Sequence, residues 1–333
     1  MRAAVISTPG SLSVQTVADP APGPGQVLIA PRAVGVCGTD LHILDGEFPP
    51  TPYPIIPGHE FAGEVVALGA GVTDVAAGDR VAVDPSLFCG HCVYCKRQRG
   101  NLCLNWNAIG DTVDGAFAEY VAVPAANVYP LPEGMSHAAG ALVEPLACVV
   151  HGLRRLAIPP GGEVLIIGAG TIGLLLAQAA GRSGAVRVSM VDTDPARLSR
   201  AAKLGADVVA TSVEEVLGGR DVGFEHVIDA TGVPAATQAA LPALCRGGTL
   251  LVFGVSPAEA RLSVSPFQVY NDEISVIGSM AVLNTFEPAL RLMGSGAITA
   301  QDLITHQVPL ERAAEAFTAV RERAGLKAQV TAG

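Results

Sequence analysis

The sequence predicts an α/β protein of two domains, an irregular, barrel-like β domain followed by a doubly wound parallel sheet. Short alternating apolar runs with recurring Gly and Pro turn signals fill the first part of the chain, which is typical of antiparallel strands. From about residue 146, strand-like runs alternate with helix-like stretches, which is the pattern of parallel βαβ units. With 333 residues, 50% of them hydrophobic, the chain has room for two cores.

Each element has its own signal along the chain. In the first part we predict strands at 1–7, 26–30 and 61–67, separated by turns at 20–25, 49–57, 69–71 and 78–79. In the second part we predict strands at 163–167, 186–191, 226–229, 249–253 and 274–277, with helices at 174–180 and 194–204. The last part predicts helices at 285–293 and 310–323 and a final strand at 327–331. Domain boundaries are expected near residues 145 and 280, with the C-terminal tail folding back on the first domain.

Composition and charge argue against several classes of protein. The net charge is −10 and there is no long basic run, so nucleic acid is not an expected partner. The first residues contain too few apolar side chains for a signal peptide, and the most apolar stretch, 164–180, is interrupted by glycines. We therefore expect a soluble, cytoplasmic protein that neither binds nucleic acid nor spans a membrane.

Four cysteines share one short segment with the spacing C-x2-C-x2-C-x7-C, namely Cys89, Cys92, Cys95 and Cys103. Four thiolates this close match a closed tetrahedral zinc site, which takes four sulfur ligands and no water. The alternative is a pair of disulfides. The odd total of seven cysteines and the lack of a secretory signal favour a reducing compartment, and hence the metal. We expect a structural zinc in a lobe near 86–105.

A glycine-rich turn follows the first predicted strand of the second part. It contains Gly168, Gly170 and Gly173 in a G-x-G-x-x-G pattern, with Thr171 and Ile172 between the last two. The pattern alone is weak, but here it lies between a strand and a helix. Glycines at these positions permit a tight turn and let the backbone approach a pyrophosphate, which the helix N-terminus attracts. This turn predicts a dinucleotide site.

Asp192 ends the next predicted strand, nineteen residues after Gly173. A carboxylate there accepts hydrogen bonds from the adenine-ribose hydroxyls and repels a 2′-phosphate, which favours NAD over NADP. Two alternatives bear on this prediction. Asp192 could instead cap the helix that starts at Pro195, although Asp194 would serve equally well, and Arg197 places a guanidinium where a phosphate could be tolerated.

Metal-capable side chains also occur at three other places, as Cys37, the pair His59 and Glu60, and the pair Glu144 and Cys148. One thiolate, one imidazole and one carboxylate from separate loops form a site with an open position, as catalytic zinc requires. Taken singly, each residue has an ordinary alternative: a buried cysteine, a loop histidine or a solvated carboxylate.

Together these motifs resemble the zinc-dependent medium-chain dehydrogenase/reductases, the group of alcohol, sorbitol (polyol) and threonine dehydrogenases. The family's zinc signature G-H-E-x2-G-x5-G-x2-V is matched in full at 58–72. The resemblance covers nearly the whole chain and is closest to the polyol dehydrogenases. It implies a GroES-like irregular β-barrel catalytic domain formed by 1–145 and 281–333, and a NAD-binding Rossmann domain at 146–280.

The resemblance also implies roles for individual residues. Cys37 and His59 resemble catalytic-zinc ligands, and Glu60 resembles a ligand or an exchangeable, water-linked group. Thr39 resembles the hydroxyl that takes the proton of the alcohol, and His42 the outer end of that relay, reached through the nicotinamide ribose. The substrate would lie in the interdomain cleft against the nicotinamide, where zinc lowers the pKa of its hydroxyl.

The further catalytic-zinc ligand stays open between two residues. A carboxylate at the Glu144 position resembles the polyol and threonine dehydrogenases, whereas Cys148 aligns with the third ligand of alcohol dehydrogenases that have a Cys-His-Cys site. The string Glu144-Pro-Leu favours the polyol branch, and we therefore prefer Glu144.

The function implied is a dehydrogenase with two zinc ions per subunit that transfers hydride between NAD(H) and a secondary alcohol, such as a polyol, a sugar or a cyclitol. The alternatives are an L-threonine 3-dehydrogenase or 2,3-butanediol-type dehydrogenase and, from another class, a zinc-free quinone or enoyl reductase. The cysteine lobe and the metal ligands argue against the reductase. The expected partners are a small hydroxylated substrate and further copies of the chain, in a homodimer or homotetramer.

Overall fold

The computed structural model describes residues 1–332, which form strands and helices along the whole chain. The strands are β1 (Arg2–Thr8), β2 (Ser11–Thr16), β3 (Gln26–Gly35), β4 (Glu60–Leu68), β5 (Arg80–Val83), β6 (Ser86–Leu87), β7 (Asn107–Ala108), β8 (Val121–Pro124), β9 (Val128–Pro130), β10 (Gly162–Ile167), β11 (Ala185–Val191), β12 (Val208–Ala210), β13 (Phe224–Asp229), β14 (Leu244–Val252), β15 (Ser275–Gly278), β16 (Ile304–Pro309) and β17 (Lys327–Thr331). The helices are α1 (Gly38–Asp45), α2 (His137–Ala141), α3 (Val143–Leu156), α4 (Thr171–Ala180), α5 (Pro195–Ala201), α6 (Val213–Leu217), α7 (Pro234–Ala240), α8 (Pro266–Asp272), α9 (Phe286–Gly294) and α10 (Ala313–Arg321).

The chain folds as two compact units. The first contains Met1–Ala147 together with the segment that begins at Val282, and the second contains Cys148–Ala281.

The first unit is built on a seven-stranded sheet. Its strands run in the order β16-β17-β3-β4-β5-β9, and β8 also pairs with β3. The C-terminal strand β17 joins β3 in antiparallel register, with Gln329 opposite Gly35. The core combines residues from both ends of the sequence, since the rings of Phe117 and Phe317 pack with their centroids 5.5 Å apart. Burial of this apolar surface holds the C-terminal segment to the sheet.

The second unit is a six-stranded parallel sheet in the order β12-β11-β10-β13-β14-β15. Numbered within the unit this is 3-2-1-4-5-6, the order of doubly wound dinucleotide-binding sheets. The central strands are buried on both faces, since exposure is 0% for Leu165, Val227 and Leu250 on one face and for Ile166, Ile228 and Leu251 on the other. The strand order reverses beside β10, so a ligand site is expected at the carboxyl end of that strand. The predicted parallel α/β sheet is confirmed.

Several predicted elements differ from the observed ones in extent. The strand predicted at 249–253 is the longer β14, and the helix predicted at 310–323 is α10 preceded by a 3₁₀ turn at Leu310–Arg312. Among the observed elements that were not predicted are the helices α1 and α3 and the strand β16. Pro145 argues against a helix at α3 in the sequence. It lies in the first turn of that helix, where a backbone N–H would form no intrahelical hydrogen bond, so a proline is tolerated there.

Among residues 1–332, no helix combines the length and the apolar character that a membrane crossing requires.

Candidate active site

The four cysteines of the lobe converge on one point. Sγ of Cys92 lies 3.5 Å from Sγ of Cys95 and 3.9 Å from Sγ of Cys103, and Sγ of Cys89 lies 4.0 Å from Sγ of Cys95. A disulfide would place two sulfurs about 2.05 Å apart. Four sulfurs about 2.3 Å from a central zinc would be roughly 3.8 Å from one another. The geometry therefore fits a tetrahedral zinc site, and all four cysteines are free.

Backbone N–H groups of the lobe point at the sulfurs. The N–H of Cys95 donates to Sγ of Cys92 at 3.5 Å, and that of Asn105 donates to Sγ of Cys103 at 3.3 Å. Backbone donors, chiefly those of Cys95 and Leu104, lower the pKa of Cys92 to about 6. Burial and the neighbouring sulfurs instead raise the pKa of Cys95 to about 12. Four sulfurs this close need a cation if all are to be thiolates, and zinc would supply it.

A second group of ligand atoms comes from two places in the first unit. The thiol of Cys37, the imidazole of His59 and the carboxylate of Glu60 all lie within 4.8 Å of one another. Cys37 is the N-cap residue of α1, whereas His59 directly precedes β4 and Glu60 begins it. His59 is 6% and Glu60 2% exposed. These three side chains could hold a metal ion, and they match the thiolate, imidazole and carboxylate ligands expected of a zinc site with a further position for water or substrate.

Two glycines make room for these ligands. Gly35 lies opposite Glu60 in the register of β3 and β4, and a Cβ on Gly35 would lie 2.1 Å from Oε2 of Glu60. Gly58 has φ of +102°, a conformation that L side chains rarely adopt. The first glycine of the G-H-E signature is therefore required by the backbone turn that presents His59.

A lysine from the C-terminal strand pairs with Glu60. Nζ of Lys327 donates to the two carboxylate oxygens of Glu60 at 2.8 and 2.6 Å and to the carbonyl of Val36 at 3.2 Å. Burial acts to lower the pKa of Lys327, but the charges of Glu60 and Cys37 outweigh it and the pKa is raised. Lys327 had no role in the sequence-based prediction. The sequence signal for such a role is that Lys327 is a charged residue at the start of the predicted final strand.

His59 lies beside two buried carboxylates. Its Nδ1 is 2.9 Å from Oδ1 of Asp111 and 3.7 Å from Oδ1 of Asp40. Burial disfavours the imidazolium, yet Asp111 and Asp40 together hold the pKa of His59 well above its usual value. Burial also raises the pKa of Asp40 to about 7. The sequence-based prediction gave neither aspartate a role, because nothing local in the sequence connects Asp111 with His59.

Helix α1 carries the two predicted relay residues. Oγ1 of Thr39 lies 3.8 Å from Sγ of Cys37, so this hydroxyl borders the ligand group. His42 follows three residues later, on the same helix face. Its Nδ1 is 2.8 Å from Oε2 of Glu47, and its side chain is 43% exposed, so the imidazole can exchange protons with solvent.

The glycine-rich turn joins β10 to α4 in the second unit. Gly168 has φ of +104°, and a Cβ on Gly173 would lie 1.8 Å from the carbonyl oxygen of Gly168, so both glycines are required by the turn itself. A Cβ on Gly170 would meet no atom within 4 Å. Gly170 is the N-cap residue of α4, and Thr171 and Ile172 begin the helix. The space beside Gly170 and the helix N-terminus fit a pyrophosphate.

Asp192 lies directly after β11 and contacts this turn. Its carboxylate oxygens accept hydrogen bonds from the N–H of Ala169 at 2.7 Å and of Asp194 at 2.9 Å. The residue that caps α5 is Asp194, whose Oδ1 accepts from the N–H of Ala196 at 2.8 Å. Arg197 lies on that helix, with its Nε 3.7 Å from Oδ2 of Asp194. The capping alternative for Asp192 therefore does not apply.

Two family models match the chain, one for each part of this architecture. Residues 23–133 match the alcohol dehydrogenase GroES-like domain, and residues 171–295 match the zinc-binding dehydrogenase model. A curated relative, D-altritol 5-dehydrogenase of Agrobacterium fabrum, is 38% identical over 299 residues, which are 89% of this chain and 88% of that protein. The chain belongs to the zinc-binding alcohol dehydrogenase family. The predicted family and fold class are confirmed.

Other members of the zinc-binding alcohol dehydrogenase family are similar in sequence and in structure. D-arabinitol dehydrogenase 1 of Uromyces fabae is 38% identical over 314 residues, which are 92% of this chain and 89% of that protein. A zinc-binding dehydrogenase of Sinorhizobium meliloti 1021, solved with bound NADP, superposes with a TM-score of 0.95 at 35% identity, covering 99% of this chain and 98% of the other.

The predicted further ligands lie on α3 of this family member. Glu144 is in the first turn of the helix and is 8% exposed. Its charge helps to raise the pKa of Lys327, which places it near the ion pair with Glu60. Within residues 1–332, the group of ligand atoms within 4.8 Å comprises Cys37, His59 and Glu60 without Glu144. Cys148 follows Glu144 by four residues and therefore shares its helix face.

Proposed function

We propose that this protein is a zinc- and NAD(H)-dependent dehydrogenase that oxidises a secondary hydroxyl of a polyol or sugar-derived substrate to a ketone. The observation that carries the proposal is the convergence of Cys37, His59 and Glu60 in a chain whose curated relatives act on altritol and arabinitol. We assign catalysis to the first unit and NAD(H) binding to the second.

We assign the proton path to α1. Zinc, when bound by Cys37 and His59, would act as a Lewis acid toward the substrate hydroxyl. Thr39 accepts the hydroxyl proton and releases its own hydroxyl proton into the relay toward His42, since its Oγ1 borders the ligand group at 3.8 Å from Sγ of Cys37. His42 passes the proton to solvent, and Glu47, 2.8 Å from its Nδ1, orients the ring.

Glu60 is proposed as an exchangeable ligand. Both of its carboxylate oxygens lie within 2.8 Å of Nζ of Lys327, so a metal and the lysine compete for the same atoms. We keep Glu144 as the further ligand, with Cys148 as the alternative. If Glu144→Gln leaves zinc content and turnover unchanged while Cys148→Ser abolishes both, the assignment passes to Cys148.

We propose NAD as the preferred cofactor. The carboxylate of Asp192 lies at the glycine-rich turn, where it would accept hydrogen bonds from ribose hydroxyls and repel a 2′-phosphate. Arg197 provides a nearby cation, and the similar structure from Sinorhizobium meliloti contains NADP. The ratio of kcat/KM for NAD to that for NADP measures the preference.

The experiment that tests the function is an NADH-formation assay on purified protein. The panel contains hexitols, pentitols, sugar acids, cyclitols, L-threonine, 2,3-butanediol and simple alcohols, each with NAD and with NADP. Zinc per subunit is measured on the same sample. We expect turnover of at least one polyol or sugar acid, with two zinc ions per subunit. Turnover of none of these compounds, with fewer than two zinc ions bound, would contradict the proposal.

We also propose a homo-oligomer and a cytoplasmic location. The strand β15 lies at one edge of the parallel sheet, and the side chains of Phe267 and Tyr270 on α8, which packs on β14, are 71% and 82% exposed. A second copy can cover an exposed edge strand, and exposed apolar side chains are typical of such contacts. The location is supported by the seven cysteines, none of which is in a disulfide within residues 1–332, as expected in a reducing compartment.

A further inference from the structure

Three buried polar atoms lie together at the Nδ1 edge of His59. They are Nδ1 of His59, Oδ1 of Asp40 and Oδ1 of Asp111, and within residues 1–332 none of them has a hydrogen bond of good geometry. The side chains are nearly inaccessible, at 7%, 0% and 10% exposure in the same order. Buried polar atoms without partners are costly, so such a cluster calls for an explanation.

The fold brings Asp111 to this place through its neighbouring glycine. Gly110 packs so closely on the chain before His59 that a Cβ there would lie 2.5 Å from the carbonyl carbon of Gly58. The next residue, Asp111, is anchored by Thr51, whose Oγ1 donates to its carbonyl at 2.7 Å. The carboxylate is therefore held beside the imidazole by contacts that do not involve its own charge.

Asp40 and Asp111 make different contacts near His59. Oδ2 of Asp40 accepts the N–H of Cys37 at 2.8 Å, which ties this carboxylate to the loop of the thiol ligand. Its other oxygen is 3.7 Å from Nδ1 of His59, too far for a direct hydrogen bond. Oδ1 of Asp111 lies at 2.9 Å, and so Asp111 is the aspartate within bonding distance of the imidazole.

We propose that Asp111 is a positioning residue for the catalytic metal: its carboxylate accepts the Nδ1–H of His59 and directs Nε2 toward Cys37 and Glu60. A metal-ligating histidine commonly donates its other ring N–H to a carboxylate, which fixes the tautomer and makes the ligand more basic. Asp111 also adds a negative charge to a buried site that must hold a dication. The inference rests on the proposed zinc site and adds to it a residue outside the zinc signature.

The test measures metal retention rather than turnover. Purified wild type, Asp111→Asn and the control Asp114→Asn are titrated with a chromophoric zinc chelator, and zinc per subunit is counted at each step. Asp114 lies three residues after Asp111 and accepts a backbone N–H from Ile56 at 2.9 Å, a role that asparagine can keep. We expect Asp111→Asn to bind the catalytic zinc roughly 10- to 100-fold more weakly. The control is expected to match wild type, and the cysteine lobe is expected to keep its zinc in all three proteins.

A second readout follows the imidazole directly. In protein reloaded with Co²⁺, the visible ligand-field bands of the catalytic site should shift in Asp111→Asn and Asp111→Ala and stay unchanged in Asp114→Asn. Unchanged zinc affinity and unchanged cobalt bands in Asp111→Asn would overturn the proposal. So would unfolding of both Asp111 variants, since Asp111 would then serve the fold. A wild type that binds only the lobe zinc would instead contradict the proposed function.

Discussion

Lys327 and Glu60 form a buried ion pair, at 5% and 2% exposure. Loss of either side chain would leave the charge of the other buried and unpaired, which destabilises the protein. Paired buried charges contribute little net stability, yet removing one partner leaves the other uncompensated. Lys327 comes from the last strand and Glu60 from β4, so this contact also joins two distant parts of the chain. Its loss is therefore expected to affect the fold and the metal site together.

Lys327→Met should destabilise the metal-free protein by about 3–5 kcal/mol, since the carboxylate of Glu60 remains buried without its cation. The free energy of unfolding in urea measures this. The double variant Glu60→Gln/Lys327→Met should recover most of the loss because neither charge remains. Adding zinc should also restore part of the stability of the single variant, since Glu60 gains a new partner. Equal stability of Lys327→Met and wild type would contradict this account.

Cys37 and Cys92 belong to two different groups of metal ligands, so their substitution by serine should have different effects on turnover and stability. Cys37→Ser removes a proposed ligand of the reacting metal, so kcat should fall by at least about 100-fold while the thermal unfolding midpoint stays close to wild type. Cys92→Ser should instead lower that midpoint or disrupt assembly, because a structural zinc stabilises the lobe directly. Turnover, zinc content and thermal unfolding are measured on both. If both variants lost turnover with the fold equally intact, the assignment of separate roles would be wrong.

At the scale of elements, the turn between β10 and α4 contains two glycines that are required for different reasons. The missing Cβ of Gly173 avoids the carbonyl oxygen of Gly168 at 1.8 Å, whereas that of Gly170 leaves a space that no atom fills within 4 Å. Gly173 is therefore required for close packing between the strand and the helix, whereas Gly170 leaves room for a ligand.

Alanine substitutions separate these two reasons. Gly170→Ala should change the unfolding free energy of the free protein by no more than about 1 kcal/mol, because its φ of −75° suits alanine while the N-cap position favours glycine. It should nevertheless raise the dissociation constant of NAD at least about tenfold, or roughly 1.4 kcal/mol. Gly173→Ala should lose about 1–3 kcal/mol of stability as well. Unfolding in urea and titration with NAD measure both. Unchanged NAD affinity in Gly170→Ala would show that the space beside Gly170 is not the pyrophosphate site.

These elements also show what can be predicted from sequence. The glycine turn and the cysteine lobe are local, so spacing alone indicates both the structure and the ligand. Asp111 and Lys327 are different, because each reaches its partner through tertiary packing. Lys327 is 267 residues from Glu60 along the chain, and Asp111 meets His59 only because Gly110 packs on Gly58. Helix α3 escaped prediction for another reason, since Pro145 suggests a break where a first helical turn tolerates it.

At the scale of the whole molecule, the parallel sheet ends in an edge that a single chain leaves open. Within residues 1–332, β15 pairs with β14 alone, and the side chain of Val276 on it is 41% exposed. Unpaired backbone donors and acceptors along such a strand form a template for pairing with another strand. The exposed Phe267 and Tyr270 on α8 belong to the same unit and add to its exposed apolar area.

Val276→Lys should therefore dissociate the proposed homo-oligomer, because a charged side chain on an edge strand opposes strand pairing. Since Val276 is already exposed, the substitution should change the unfolding free energy of the subunit by no more than about 0.5 kcal/mol. Val186→Lys is the matched control, because Val186 is 69% exposed but lies on β11, which has a neighbour on each side. Mass in solution by light scattering should fall to that of one chain for Val276→Lys and stay at the wild-type value for Val186→Lys. An unchanged mass in Val276→Lys would place the contact between copies elsewhere, whereas a monomeric wild type would contradict the proposed assembly itself.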